Sequence, residues 1–453
     1  MSSRGSGDPP YWYDDSMSAP APGSSLLARK LGLFDGTMIV MGGVIGSGIF
    51  INPYVVARQV HTPVQILGAW LLGGLIALAG GFIYAELASR RPLLQGQYAY
   101  LREAYHPAVA FLYGWGLLLV TQTGGMAAVA ITFARYFLKL TGLPWADAAV
   151  AAGTLALLTL VNCLGVRAGS NVQSVLMVLK GAAIAGLVAA GFYFPAVANP
   201  ASTADTSFSL GSLGAAMTPV VFAYGGWQTA SFMAGEMKNP KRDLARAMVL
   251  GVIGVIVLYA GVNLIYLRAL GTDGLAATTT PASTVMEQWF GTRGASLTAA
   301  AIAISTLGFL GQGMLTAPRA YFAMAADGLF FKSVARVSEK TRVPVTAIAL
   351  QGVWAIVIAM SGRYEQILNY VIPVDFFFIG LTTTCLFWFR RRDLSASEHA
   401  VPGYPWTNVF FVTAAWLIVA ATIYHYPRES GIGLLIQAAG IPAFLFWNRR
   451  KSA

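Results

Sequence analysis

Stretches of roughly twenty apolar residues follow one another along this chain with only short polar breaks between them. About 20 such residues are needed for a helix to cross the hydrocarbon of a bilayer. Lipid offers no partner for backbone N–H and C=O groups, so a chain of this kind must cross as helices or as a closed barrel. The runs are far too long and continuous for barrel strands. They fall at 36–58, 63–89, 107–138, 145–165, 170–195, 212–236, 246–269, 293–325, 344–361, 364–390, 405–426 and 429–448. The expected fold is therefore an all-α membrane protein of twelve transmembrane helices. The 212–236 run is the least hydrophobic at its flanks. The segment 276–291 reads as a short amphipathic piece lying at a surface.

Charge supports this reading. Only 11% of the residues are charged, against about 25% in soluble domains. That excludes a soluble enzyme, a disordered regulator and a DNA-binding module, despite the net charge of +11. Basic residues next to spans mark the cytoplasmic side. With both termini inside, 22 of the 30 Lys and Arg residues fall in inner segments and 7 in outer ones. The positive charge is thus a topology signal and a contact for anionic membrane lipids, with no nucleic-acid partner expected. The expected location is a cell membrane, plasma or inner. Residues 1–28, rich in Pro, Ser and Gly, read as a disordered cytoplasmic tail. Residues 29–400 form a transport core, and 401–453 hold two C-terminal helices with a short basic tail. The scattered histidines and the lone thiols of Cys163 and Cys385 suggest no metal, cofactor or disulfide framework.

Two spans should not run straight. Gly42, Gly43, Gly46 and Gly48, with Ser47, crowd the first, at a helix cost of about 1 kcal/mol per glycine. The sixth carries Phe222-Ala223-Tyr224-Gly225-Gly226-Trp227. Unwound backbone at membrane depth is tolerated where it lines a cavity. A half-helix starting there points N–H groups and a positive dipole end into that cavity, while free carbonyls suit an ammonium group. Breaks in the first and sixth spans are the placement expected of inverted repeats, at about 36–195 and 212–390. A zwitterion then fits, its carboxylate at the amides around Gly46, Ser47 and Gly48 and its ammonium at the carbonyls of Ile45, Phe222 and Ala223. The plainer reading makes these glycines packing notches. Phe222 and Trp227 flank the second break and are candidate outer gates.

Lys180 lies deep in the fifth span, at least eight residues from either interface. A lysine at mid-bilayer costs about 2.5–3.5 kcal/mol on insertion scales, so it must face the bundle interior. It either exchanges a proton during a transport cycle or stays charged in place of a sodium ion. Asp375 is the acid well inside a span. It lines the cavity, or else caps backbone freed by Pro373. Glu86 and Glu236, beside Arg90 and Lys238, read as structural or gate salt bridges.

At these residues the chain resembles the L-type amino-acid transporters (LAT family) of the amino acid–polyamine–organocation (APC) superfamily, in their bacterial form. The motifs are GGVIGSGIF in the first span and FAYGGW in the sixth. YAEL at 84–87, QYAYLREAY at 97–105, EMKNPKRDL at 236–244, VP at 343–344 and ESGIG at 429–433 reinforce them. The resemblance covers about residues 30–450. It implies a LeuT-like 5+5 inverted repeat with broken first and sixth helices, alternating access, and no enzymatic activity. It also implies carboxylate capture at Ser47 and Gly48, amino-group capture at Ile45, Phe222 and Ala223, and Phe222 as outer gate. Lys180 then replaces a sodium ion, near Gly42 and polar atoms of the eighth span, with Ser305 and Thr306 as candidates. Animal members bind a glycoprotein through a cysteine between the third and fourth spans. The loop Leu140 to Ala146 has none, so no disulfide-linked heavy chain is expected. Leu94-Gln95-Gly96-Gln97 departs from the consecutive glycines common in the family. Asp375 stands where a neutral or polar residue is usual. The expected function is sodium-independent secondary transport of neutral L-amino acids, by exchange or proton coupling. The alternative is a cationic amino acid or polyamine bound through Asp375.

Overall fold

The computed structural model describes residues 32–91, 96–164, 170–194, 209–228, 237–338, 343–393 and 399–452. The expected tail and Glu236 lie outside these residues. Helices follow the hydrophobic runs closely. The first span is split into α1 (Leu33–Val44) and α2 (Gly48–Ala57), bent by 42°. Next come α3 (Pro63–Arg90), the short α4 (Gln97–Ala104), α5 (Pro107–Gly116), α6 (Gln122–Thr141), α7 (Asp147–Cys163), α8 (Ser170–Tyr193) and α9 (Leu210–Tyr224). The second half holds α10 (Ala245–Ala277), α11 (Pro281–Thr316), α12 (Pro318–Ala326), α13 (Val345–Ser361), α14 (Tyr364–Arg392), α15 (Trp406–His425), α16 (Pro427–Ala438) and α17 (Gly440–Ser452).

Seven of the resulting helical segments are long and apolar enough to cross a membrane. The bent α1–α2 pair and four shorter apolar helices bring the described segments to the expected twelve. Local chemistry sets the boundaries. Thr62 caps α3 by accepting a hydrogen bond from Gln65 N at 3.2 Å, with Pro63 at the first helical position. The piece expected at 276–291 is helical from Pro281. It buries Ala282, Ser283 and Val285, exposes Glu287, Gln288 and Phe290, and joins the eighth span through a kink at Gly291.

The helices sort into two packed groups. α1, α2, α3, α9 and α10 pack on one another, and α6, α7, α11 and α13 form a second set. α14 touches both groups and packs on α15 and α16. The first group is cemented by aromatics: Trp70 is fully buried, edge-on to Tyr259 at 5.6 Å and tilted on Tyr224 at 5.9 Å. Such pairs add about 0.5–1.5 kcal/mol beyond burial. Hydrogen bonds between neighbours, such as Thr218 to Thr422 at 2.8 Å, satisfy hydroxyls that lipid would leave bare. Between the two groups lies the cavity that contains the site.

Candidate functional site

The first break shows what its glycines permit. Ile45 N still donates to Met41 O at 2.7 Å, Gly46 N turns back to Val44 O at 2.7 Å, and α2 restarts at Gly48. Among the described residues, the amides of Ser47, Gly48 and Ile49 make no backbone hydrogen bond; the ladder resumes with Phe50 N on Ser47 O at 3.1 Å. Ser47 sits at the N-cap of α2, yet its side chain makes no cap bond and its Oγ is buried without a partner of normal geometry. The Tyr364 phenol is near but donates to Asn52 Oδ1 at 2.7 Å. Bare amides, a positive dipole end and an unused hydroxyl are together the kind of donor set that suits a carboxylate.

The second break is built differently. α9 ends at Tyr224, and Gly225 N closes on Phe222 O at 3.2 Å. Gly226 has φ +105°, which disfavours any side chain, and a Cβ there would run into Gly43 O. Gly48 is equally constrained, because a Cβ would lie 2.5 Å from Ala223 Cα. The two breaks therefore pack backbone against backbone. Tyr259 of α10 links them, its phenol lying 3.2 Å from Val44 O and 3.1 Å from Ala223 O.

Lys180 is 8% exposed, and its Nζ donates to Ile45 O at 2.5 Å. The contact falls at the break itself, three residues beyond the expected Gly42. Ser305 Oγ is buried without a partner, and Thr306 bonds back to Ile302 O and Ala303 O within its own helix. Each of the three carbonyls expected to receive an ammonium already accepts one bond: Ile45 from Lys180, Phe222 from Gly225, and Ala223 from Tyr259. A carbonyl oxygen has two lone pairs, so each retains one.

These elements surround a cavity of about 190 Å³. Gly46, Ser47, Gly48, Phe222, Ala223, Gly225 and Asp375 all line it. Ile45, Gly42, Lys180 and Ser305 do not line it. Trp227 corrects the gate expectation. It is 4% exposed and held edge-on to Tyr84 at 4.8 Å and to Phe411 at 6.4 Å, on the far side of the break from the cavity. Its large ring fills space between α3, α9 and α15. Phe222 does line the cavity, edge-on to Tyr364 at 6.5 Å.

Behind Phe222 the structure is sealed. All ten residues of α2 are buried, against four of twelve in α1. Asn52 Nδ2 donates to Pro219 O at 2.5 Å. Arg135 donates to Tyr54 Oη at 3.0 Å and to Asp147 at 3.1 Å, and Tyr54 donates in turn to Glu365. Toward the other, basic face the lining continues through Ile39, Gln97 and Ala320. Glu86 sits fully buried there, bonded to Arg90 at 2.8 Å, Arg390 at 2.5 Å and Val401 N at 2.7 Å, in keeping with its reading as an ion-pair residue.

Several site residues carried no signal in the sequence. Thr121 and Gln122 line the cavity where a π-helical turn, Leu117–Thr121, interrupts the third span; such turns concentrate at functional sites. Tyr113 lines it as well. Thr121 and Gln122 stand out only as isolated interruptions of an apolar run, whereas Gln97 opens the QYAYLREAY motif and lines the cavity from α4.

The amino acid permease family model matches residues 31–440. The chain is 29% identical over 440 residues to the serine/threonine exchanger SteT of Bacillus subtilis, covering 94% of this chain and 98% of that protein. It is 30% identical over 383 residues to the b(0,+)-type amino acid transporter 1 of Mus musculus, covering 81% and 78%. The large neutral amino acids transporter small subunit 2 of Homo sapiens is 27% identical over 455 residues, covering 96% and 85%.

Proposed function

The chain belongs to the amino acid permease family, and from that premise we propose that it is a sodium-independent secondary transporter of neutral L-amino acids working by exchange. The observation that carries this reading is the pairing of opposite helix ends in one cavity. The start of α2 offers bare amides and the Ser47 hydroxyl. The end of α9 offers carbonyls with a lone pair to spare. A zwitterion answers both. A polyamine would leave the amides unmatched, which favours the amino acid over the polyamine alternative.

In this reading Lys180 is a fixed cation that does a sodium ion's work, holding the carbonyl of Ile45 while the backbone is unwound. Residues 36–195 and 212–390 act as inverted repeats, each opening with a break. The basic face is cytoplasmic, so the cavity faces inward and the layer from Phe222 to Arg135 is the closed outer gate. The relatives are by name an exchanger and amino acid transporters, which supports amino acid exchange. No disulfide-linked heavy chain is proposed.

The test is uptake of labelled alanine, serine and leucine into sodium-free proteoliposomes, with and without internal unlabelled amino acid and with and without a pH gradient. Stimulation by internal amino acid is expected. Uptake that requires sodium would overturn the reading. Uptake driven by the pH gradient alone would replace exchange by proton coupling.

A further inference from the structure

One short helix joins the cargo end of the cavity to the outer seal. Gly48 opens α2, and Tyr54 follows on the same buried helix, about 9 Å further along its axis. The polar side chains of α2 are Asn52 and Tyr54. Asn52 Nδ2 donates to Pro219 O of α9, inside the helix group to which α2 belongs. Tyr54 reaches out of that group. Arg135 of α6, in the second group, donates to its Oη at 3.0 Å. The neighbouring Tyr136 donates to Phe50 O at 2.9 Å, so α6 holds α2 by a side chain and by the backbone. Parting the two groups on this side breaks both bonds.

Arg135 is built to hold and to release. Asp147 of α7 anchors its guanidinium at 3.1 Å, and its central carbon lies 5.6 Å from the centre of the Tyr364 ring. The Tyr54 phenol donates its own proton to Glu365. A cation and an acid thus meet on one phenol oxygen, and they can pair with each other when the phenol leaves. Opening therefore costs a few hydrogen bonds and strands no charge, which would be far more expensive.

The other end of α2 supplies the opposing force. With no cargo, the amides of Ser47, Gly48 and Ile49 make no backbone hydrogen bond among the described residues. A carboxylate on those amides and an ammonium on the last carbonyls of α9 would tie α2 to α9, both in one group. Cargo held in this way offsets the bonds lost to α6. A ligand shifts such an equilibrium only by its difference in affinity for the two states.

We propose that Arg135 is a positioning residue of the transport cycle: through Tyr54 it holds α2 against α6 while the site is empty, so that the outer side opens when cargo is bound. The inference rests on the amino acid exchange reading above and adds its regulation. The latch keeps the empty protein from opening outward, and so keeps exchange from running as one-way uptake.

The experiment measures the outer gap as the distance between spin labels at Gln59→Cys, just past α2, and Leu143→Cys, just past α6. The labelled parent protein carries Cys163→Ala and Cys385→Ala. Without cargo the parent should show one short distance, and saturating alanine should add a longer one. Tyr54→Phe and Arg135→Gln should raise the open fraction without alanine at least about fivefold. Arg135→Lys keeps a cation beside the phenol and should fall between. In sodium-free proteoliposomes, uptake of labelled alanine by Tyr54→Phe and Arg135→Gln should depend less on internal amino acid than uptake by the wild type. Damage to the fold would lower yield and rate but move neither the distances nor that dependence. A gap that neither variant widens, or one that already stands open in the empty parent, would overturn this proposal alone. Failure of the wild-type protein to exchange any amino acid would overturn the functional reading with it.

Discussion

The two helix breaks do the same geometric job by different means. At the first, the backbone is turned by ordinary φ/ψ values and an ammonium, Lys180, grips the exposed carbonyl of Ile45. At the second, no ammonium is placed among the described residues; the turn depends on Gly226 at positive φ, pressed against Gly43 O. In the proposed reading, the difference bears on where a zwitterion would lie. Lys180 already neutralises the carbonyl end of α1, so the end of α9 is the better seat for a cargo's ammonium. The start of α2, with no acid bonded to its amides among the described residues, is left for the carboxylate.

Disturbing the glycine-dependent break should have the largest effect. Gly226→Ala adds left-handed strain of about 1–2 kcal/mol to a backbone clash with Gly43, and exchange should fall by at least about a hundredfold. Near-normal exchange in that variant would show that the sixth break is not held as described. Lys180→Ala should reduce exchange more than about tenfold while the protein still elutes as a monodisperse species, since only a contact to one break is lost. Tyr259→Phe removes a phenol that spans both breaks, and a three- to tenfold loss is expected, corresponding to about 0.5–1.5 kcal/mol. Ser47→Ala should have the smallest effect, a rise of about threefold to tenfold in the KM for the cargo with the maximal rate less affected. If Ser47→Ala instead matched Lys180→Ala in severity, the hydroxyl would be holding the fold and not the cargo.

Much of this was legible in the chain. Glycine clusters betray a break because helix cost per glycine is local, and a lysine at mid-span is visible because lipid makes it expensive. That is why Ser47, Gly48, Phe222 and Lys180, which the structure gathers at the first break and its cavity, stand out in the sequence. The partner of Lys180 was missed by a turn: a four-carbon side chain can reach several carbonyls, and only packing chooses Ile45 over Gly42. Trp227 was misjudged for a similar reason. Its place beside the glycines suggested the cavity, but the positive φ at Gly226 turns the chain so that the indole packs between Tyr84 and Phe411. Tyr259, Thr121 and the Arg135 cluster gave no local sign, since their roles come from neighbours far away in sequence, such as Tyr259 reaching Val44 and Arg135 reaching Tyr54.

The central claim is that a lysine ammonium stands where a sodium-coupled machine would need its ion. Its most direct test is amino acid exchange in proteoliposomes with sodium replaced by choline on both sides. The account predicts wild-type exchange at the same rate as in sodium, and loss of exchange in Lys180→Ala in both media. Wild-type exchange that rises with sodium, or a Lys180→Ala protein that exchanges normally in choline, would contradict it.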